Sequence, residues 1–142
     1  MALPGQVVAY GRAVEILSQV YADYDADSVS VSLHSSVYVP NTSHAFSSDL
    51  RGEIAGGGYA RKKLQGREVV FDEATQRFQF KATRVVWPLV TLTARWAVIS
   101  FDGLGTTNLL AWVDLGGARQ VFNSTLSIGW ENDMILEVEG VG

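Results

Sequence analysis

Two histidines, His34 and His44, stand close in sequence to Ser35, Ser36 and Ser43, residue types from which a hydroxyl nucleophile and its general base are made. A serine hydrolase also needs that hydroxyl on a sharp exposed turn with oxyanion donors beside it, and no Gly-x-Ser-x-Gly elbow occurs in the chain. Polar loop residues are the better reading of the cluster. Asp23, Asp25 and Asp27 have the spacing that opens an EF-hand loop, but the sixth position is Ser28 where glycine is needed and the twelfth is His34 where glutamate is needed. The three carboxylates suit an acidic turn that ends a helix as well as they suit a hard cation. Gly56-Gly57-Gly58 lacks the Gly-Lys-Ser/Thr ending of a phosphate loop, since the next lysine is Lys62. These glycines instead predict positive φ or a bulge ahead of a strand over Tyr59 to Leu64. Arg61-Lys62-Lys63 with Arg67 is a basic patch, but the formal net charge of the whole chain is -4. It reads as a solvated strand face or half of an ionic protein contact, and direct nucleic-acid binding is not expected. No catalytic residue, cofactor-binding residue or metal ligand is therefore assigned, and the expectation is a protein that is not an enzyme.

The elements then matter for the surfaces they present. A length of 142 residues with 47% hydrophobic and 11% aromatic side chains suits one domain over 1–142 with a real core. The absence of cysteine excludes disulfides and a thiolate metal cluster. No apolar run approaches the ~20 residues of a membrane helix, and Met1 to Gln6 lacks the pattern of a signal peptide, so synthesis and retention in solution are expected, with no membrane partner.

Val7, Tyr10, Val14, Leu17 and Tyr21 recur at steps of three and four, which predicts an amphipathic helix over about 6–22. The period then becomes two. Val29, Val31 and Leu33 alternate with serines, Phe78 and Phe80 with Arg77, Gln79 and Lys81, Leu126, Ile128 and Trp130 with Thr125, Ser127 and Gly129, and Met134, Leu136 and Val138 with Ile135, Glu137 and Glu139. Leu89 to Phe101 and Leu109 to Leu115 carry apolar residues on both faces, as strands covered on two sides do, with Leu92, Ala94, Trp96 and Val98 in one row. Gly103-Leu104-Gly105 and Gly116-Gly117 are the turn signals between strands. A polar surface loop or arm is expected over about 35–50. The pattern is that of an all-β sandwich or jelly roll. Of Trp87, Trp96, Trp112 and Trp130, most are expected in the core, with Trp87, next to Pro88, partly exposed.

Glu53 to Tyr59 has the form Glu-x-x-Gly-x-Gly-Tyr. Trp87 is followed by Thr93-Ala94-Arg95-Trp96-Ala97, Asp114-Leu115-Gly116 ends a strand, and Thr125, Ile128 and Trp130 form Thr-x-x-Ile-x-Trp. In this order the stretches resemble a family of small structural proteins of tailed bacteriophages that includes capsid cement, or decoration, proteins. The resemblance implies an all-β, jelly-roll-like β-sandwich with one N-terminal α-helix. It also implies a place on the outer surface of the phage head after synthesis in the host cytoplasm, binding to the major capsid protein, and a homo-oligomer, dimer or trimer, at a symmetry axis. The alternatives are a head-tail connector, a tail structural protein or a host-binding virion adhesin. The motifs are building-block residues and do not separate these roles.

Overall fold

The computed structural model describes residues 7–11, 13, 29–75, 77–103, 106–130 and 134–139, whose regular structure is almost wholly antiparallel strand. The strands are β1 (Val7–Ala9), β2 (Val29–His34), β3 (Lys62–Lys63), β4 (Glu68–Asp72), β5 (Arg77–Lys81), β6 (Val85–Gly103), β7 (Thr106–Ile128) and β8 (Met134–Glu139). One sheet has the order β1-β7-β6-β2-β3 and the other β4-β5-β8. Among the described residues Gly11 and Ala13 are α-helical, Ser47–Asp49 is a 3₁₀ turn, and no helix is long and apolar enough to cross a membrane.

The N-terminal stripe begins as a strand. Val7, Val8 and Ala9 pair with Val113, Trp112 and Ala111 of β7. Two adjacent β-branched residues suit an extended chain, and an unpaired sheet edge beside them outweighs a helical period that starts there. The Ala13 N–H donates to the Tyr10 carbonyl at 3.0 Å, and positions 14–22 of the expected helix lie outside the described residues.

The hairpin of β6 and β7, 19 and 23 residues long, is the frame to which the rest is attached. Near its turn, Ala97, Ile99 and Phe101 pair with Leu33, Val31 and Val29 of β2 on one side; Ala97 and Ile99 pair with Val113 and Ala111 of β7 on the other. All eight side chains are buried. Burying each large aliphatic side chain there stabilises the fold by ~1.5–3 kcal/mol. The opposite face of the same stretch is buried as well: Val98 pairs with Ser32 and Trp112, and Tyr10 packs edge-on against Trp112 with ring centres 4.8 Å apart. Two-sided burial explains why Ala97 to Phe101 is apolar except for Ser100, which is buried too.

Further from the turn the hairpin alternates again. Val85, Trp87, Val90, Leu92 and Ala94 are buried while Val86, Pro88, Leu89, Thr91 and Thr93 are exposed. Of the row expected through Leu92, Ala94, Trp96 and Val98, Leu92, Ala94 and Val98 are buried and Trp96 is half-buried against the core; the register shift between Ala94 and Trp96 places its extra residues on β7, between Arg119 and Asp114. Gly116 and Gly117, both at positive φ, lie in a bulge within β7 and do not separate two strands. Trp87 is buried, 1% exposed, with its indole N–H on the Ala60 carbonyl at 2.7 Å; the expectation of partial exposure was wrong because Trp87 falls on the inward beat of β6.

Candidate interaction surface

The histidine cluster resolves into structural hydrogen bonds. His34 is 1% exposed; its Nδ1 donates to the Arg51 carbonyl at 2.8 Å, and its Nε2 accepts the Ser32 hydroxyl at 2.8 Å. Burial lowers the imidazole pKa, so the ring is held neutral. A hydroxyl bonded to an imidazole resembles a catalytic dyad. Here Ser32 is itself buried, and the group orienting the histidine is a backbone carbonyl and not a carboxylate. His44 bonds a different partner, through Nδ1 to the Tyr38 hydroxyl at 3.0 Å, and Tyr38 bonds Tyr10 at 2.7 Å. Burial raises the pKa of both tyrosines, so this chain of hydroxyls stays protonated.

The segment over 35–50 is strapped onto the sheet. Tyr38 is its anchor: the side chain is 1% exposed, and its carbonyl accepts the Trp96 indole N–H at 2.9 Å. Ala45 accepts the Leu109 N–H, and Asp49 takes the N–H groups of Ala45 and Phe46, which lower its pKa. Val37 and Val39, on either side of the anchor, are 71% and 73% exposed.

The family-like stretches are locks of the fold. Glu53 Oε2 accepts the Tyr59 hydroxyl at 2.7 Å, and its two oxygens bind Arg61 in a fork at 2.7 Å each; Arg61, first, holds the Glu53 pKa down. Tyr59 in turn accepts the Leu33 N–H at 3.0 Å, which satisfies a donor on the outer edge of β2. The basic patch therefore loses Arg61 to an internal ion pair. Gly57 sits at positive φ against β6, its carbonyl accepting the Thr91 N–H at 2.9 Å, and a Cβ there would stand 1.9 Å from the Thr91 oxygen. Arg95 binds Asp114 at 2.6 Å and lies over the Trp96 ring; Asp114 also accepts the Gly116 N–H, and Arg95 is the larger cause of its lowered pKa. Trp130 donates to the Ala82 carbonyl at 2.6 Å. Asp23, Asp25 and Asp27 lie outside the described residues.

The exposed chemistry lies in the outer half of the hairpin. β6 is bulged at Pro88-Leu89 and β7 at Phe122-Asn123, as the register shifts between Trp87 and Val90 and between Val90 and Leu92 require. Leu89 and Asn123 are the non-glycine residues with positive φ among those described, at 51° and 47°. Each bulge puts a large apolar side chain into solvent, Leu89 at 71% and Phe122 at 77% exposure, with Val86 at 40%. Both bulges are braced: Thr91 N–H bonds Gly57, and the Thr91 hydroxyl accepts the Asn123 N–H at 2.9 Å. Neither Leu89 nor Phe122 stood out in the sequence reading; the signals were Pro88 and Asn123, a sheet-breaking residue and one that tolerates left-handed backbone. No protein-family model, curated protein or solved structure matches this chain.

Proposed function

We propose that the protein is a capsid cement (decoration) protein that binds the outer surface of a tailed-phage head and stabilises contacts between major capsid protein subunits. The observation that carries this reading is the pair of braced bulges presenting Leu89 and Phe122. A leucine held in the left-handed region, as Leu89 is, costs ~1–2 kcal/mol, and such strain concentrates at sites of function. Exposed aromatic and aliphatic anchors on a rigid frame are what a protein interface uses as hot spots. Val37 and Val39 on the strapped loop supply a second contact, and two weak contacts on neighbouring shell subunits gain avidity through effective concentration.

In this reading the protein is not an enzyme, assembles as a dimer or trimer at a symmetry axis, and resides on the virion. The jelly-roll-like sandwich belongs to the same proposal. Two antiparallel sheets, with buried Phe80 of the smaller one in the same apolar cluster as β2, β6 and β7, support it. The adjacency of β6 and β7 in both sequence and space is a hairpin, so Greek-key connections must be sought elsewhere in the chain.

Electron microscopy of particles tests the role. Density for this protein is expected across the head surface, in many copies. Density confined to the head-tail junction or to a tail tip would contradict the cement assignment in favour of a connector or an adhesin.

A further inference from the structure

Beside Phe122, the β7 strand borders a groove of about 320 Å³ whose polar lining is Arg84, Arg119, Gln120, Thr125 and Ser127. Among the described residues no carboxylate lines it. That is unusual in a chain with 15 acidic against 11 basic residues, in which Arg61 and Arg95 are each paired with a carboxylate. Arg119 spends its Nε on the Leu115 carbonyl at 2.9 Å, which leaves its terminal N–H groups available. Arg84 crosses Gly129, its Nε 4.0 Å from where a Cβ would stand, and bonds no acceptor among the described residues. The third group is the Ser127 hydroxyl, buried and without a hydrogen-bond partner among the described residues. A buried hydroxyl left unpaired is costly and uncommon in a folded protein, and a ligand atom is one way to satisfy it.

We infer that this groove is an oxyanion-binding site, taking a carboxylate or phosphate group between the Arg84 and Arg119 guanidinium groups with the Ser127 hydroxyl as a further donor. Guanidinium forks match the spacing of paired oxygens on both groups, and both require an acceptor-only ligand. The volume is at the lower end of small-molecule sites, enough for the anionic group and a short stem. The inference stands apart from the capsid reading, since it concerns the isolated protein.

The test is an amide and arginine-Nε NMR titration of the purified chain at low ionic strength with inorganic phosphate and, separately, with glutarate, using chloride at matched ionic strength as the control. Saturable shifts are expected at Gln120, Thr125, Ser127 and the Arg84 and Arg119 Nε signals. Arg84→Ala and Arg119→Ala should each weaken binding about tenfold, as loss of a charge-assisted contact does. Ser127→Ala should weaken it less while leaving the fold at least as stable, because it removes an unpaired buried hydroxyl. Tighter phosphate binding would identify a free phosphate group as the ligand, and tighter glutarate binding a carboxylate side chain. Shifts that do not saturate with either anion, or that persist in the Arg84→Ala/Arg119→Ala double variant, would overturn the inference. Neither result bears on whether the protein coats a phage head.

Discussion

The two halves of the β6–β7 hairpin are made from one continuous pair of strands, yet they solve opposite problems. Near the turn, Ala97 to Phe101 is buried on both faces, and the polar groups of that region, His34, Ser32, Tyr38 and Tyr10, satisfy one another. In the outer half the ladder is interrupted by two bulges, Leu89 and Phe122 are in solvent, and Ser127 and Arg84 lack partners among the described residues. The first half packs both of its faces. The second breaks several rules of stability together, and such local departures collect where a protein does its work.

The difference is sharpest for a buried charge. Ile99→Asp in the inner half should cost about 4 kcal/mol or more and unfold the domain, since the carboxylate has no partner in an apolar row. Thr93→Asp, on the exposed beat of the outer half, should change stability by no more than about 0.5 kcal/mol. Chemical denaturation of both variants checks this; equal damage would show that the inward row has been misplaced.

The bracing of the outer half makes the next largest effect. Gly57→Ala should cost about 3 kcal/mol, combining left-handed backbone with a Cβ that runs into the Thr91 carbonyl. Gly56→Ala, at similar φ but with open space around it, should cost only about 1 kcal/mol. Thermal melts of the pair separate the clash from the backbone term.

Inside the inner half, Ser32→Ala should cost ~1–3 kcal/mol because it strands the His34 Nε2 acceptor. His34 also gives that half a pH dependence. Its folded pKa lies below the ordinary value of 6.5, so the unfolded chain binds the proton more readily. The stability contribution is complete above that value and is lost as pH falls from it through the lowered folded pKa. Denaturation midpoints measured from pH 7.5 downward should decline before the carboxylate range is reached, and His34→Gln should flatten the decline; an unchanged slope would remove His34 as its source.

The smallest stability effect falls on the bulge itself. Leu89→Gly should be neutral or raise stability by up to about 1 kcal/mol, because glycine accepts φ of 51° and the leucine side chain is mostly in solvent. A loss above about 1 kcal/mol in a thermal melt would mean that Leu89 packs internally.

The β-rich class was legible because alternation such as Val29/Val31/Leu33 is a direct consequence of burying one face. The inward row at Ile128 and Trp130 was legible for the same reason. What period-two reading misses is a change of register. The extra residue at Pro88-Leu89 puts Leu89 into solvent, although by its apolar type it looked like part of a buried run. Val7 to Ala9 was missed for another reason: the partner that makes it a strand, β7, lies about 100 residues away, beyond any local pattern. The groove at Arg84, Arg119 and Ser127 has no signature at all, since its residues meet only after β7 has folded back along the chain.

The central claim is that the bulged outer half is the surface that grips a partner. Phage heads prepared without this protein, incubated with purified wild type and with Leu89→Asp/Phe122→Asp, measure it directly by bound copies per head. Wild type is expected to bind to saturation, and the double variant, folded and melting within a few degrees of wild type, to bind at least tenfold more weakly. Undiminished saturable binding of the double variant would contradict the account.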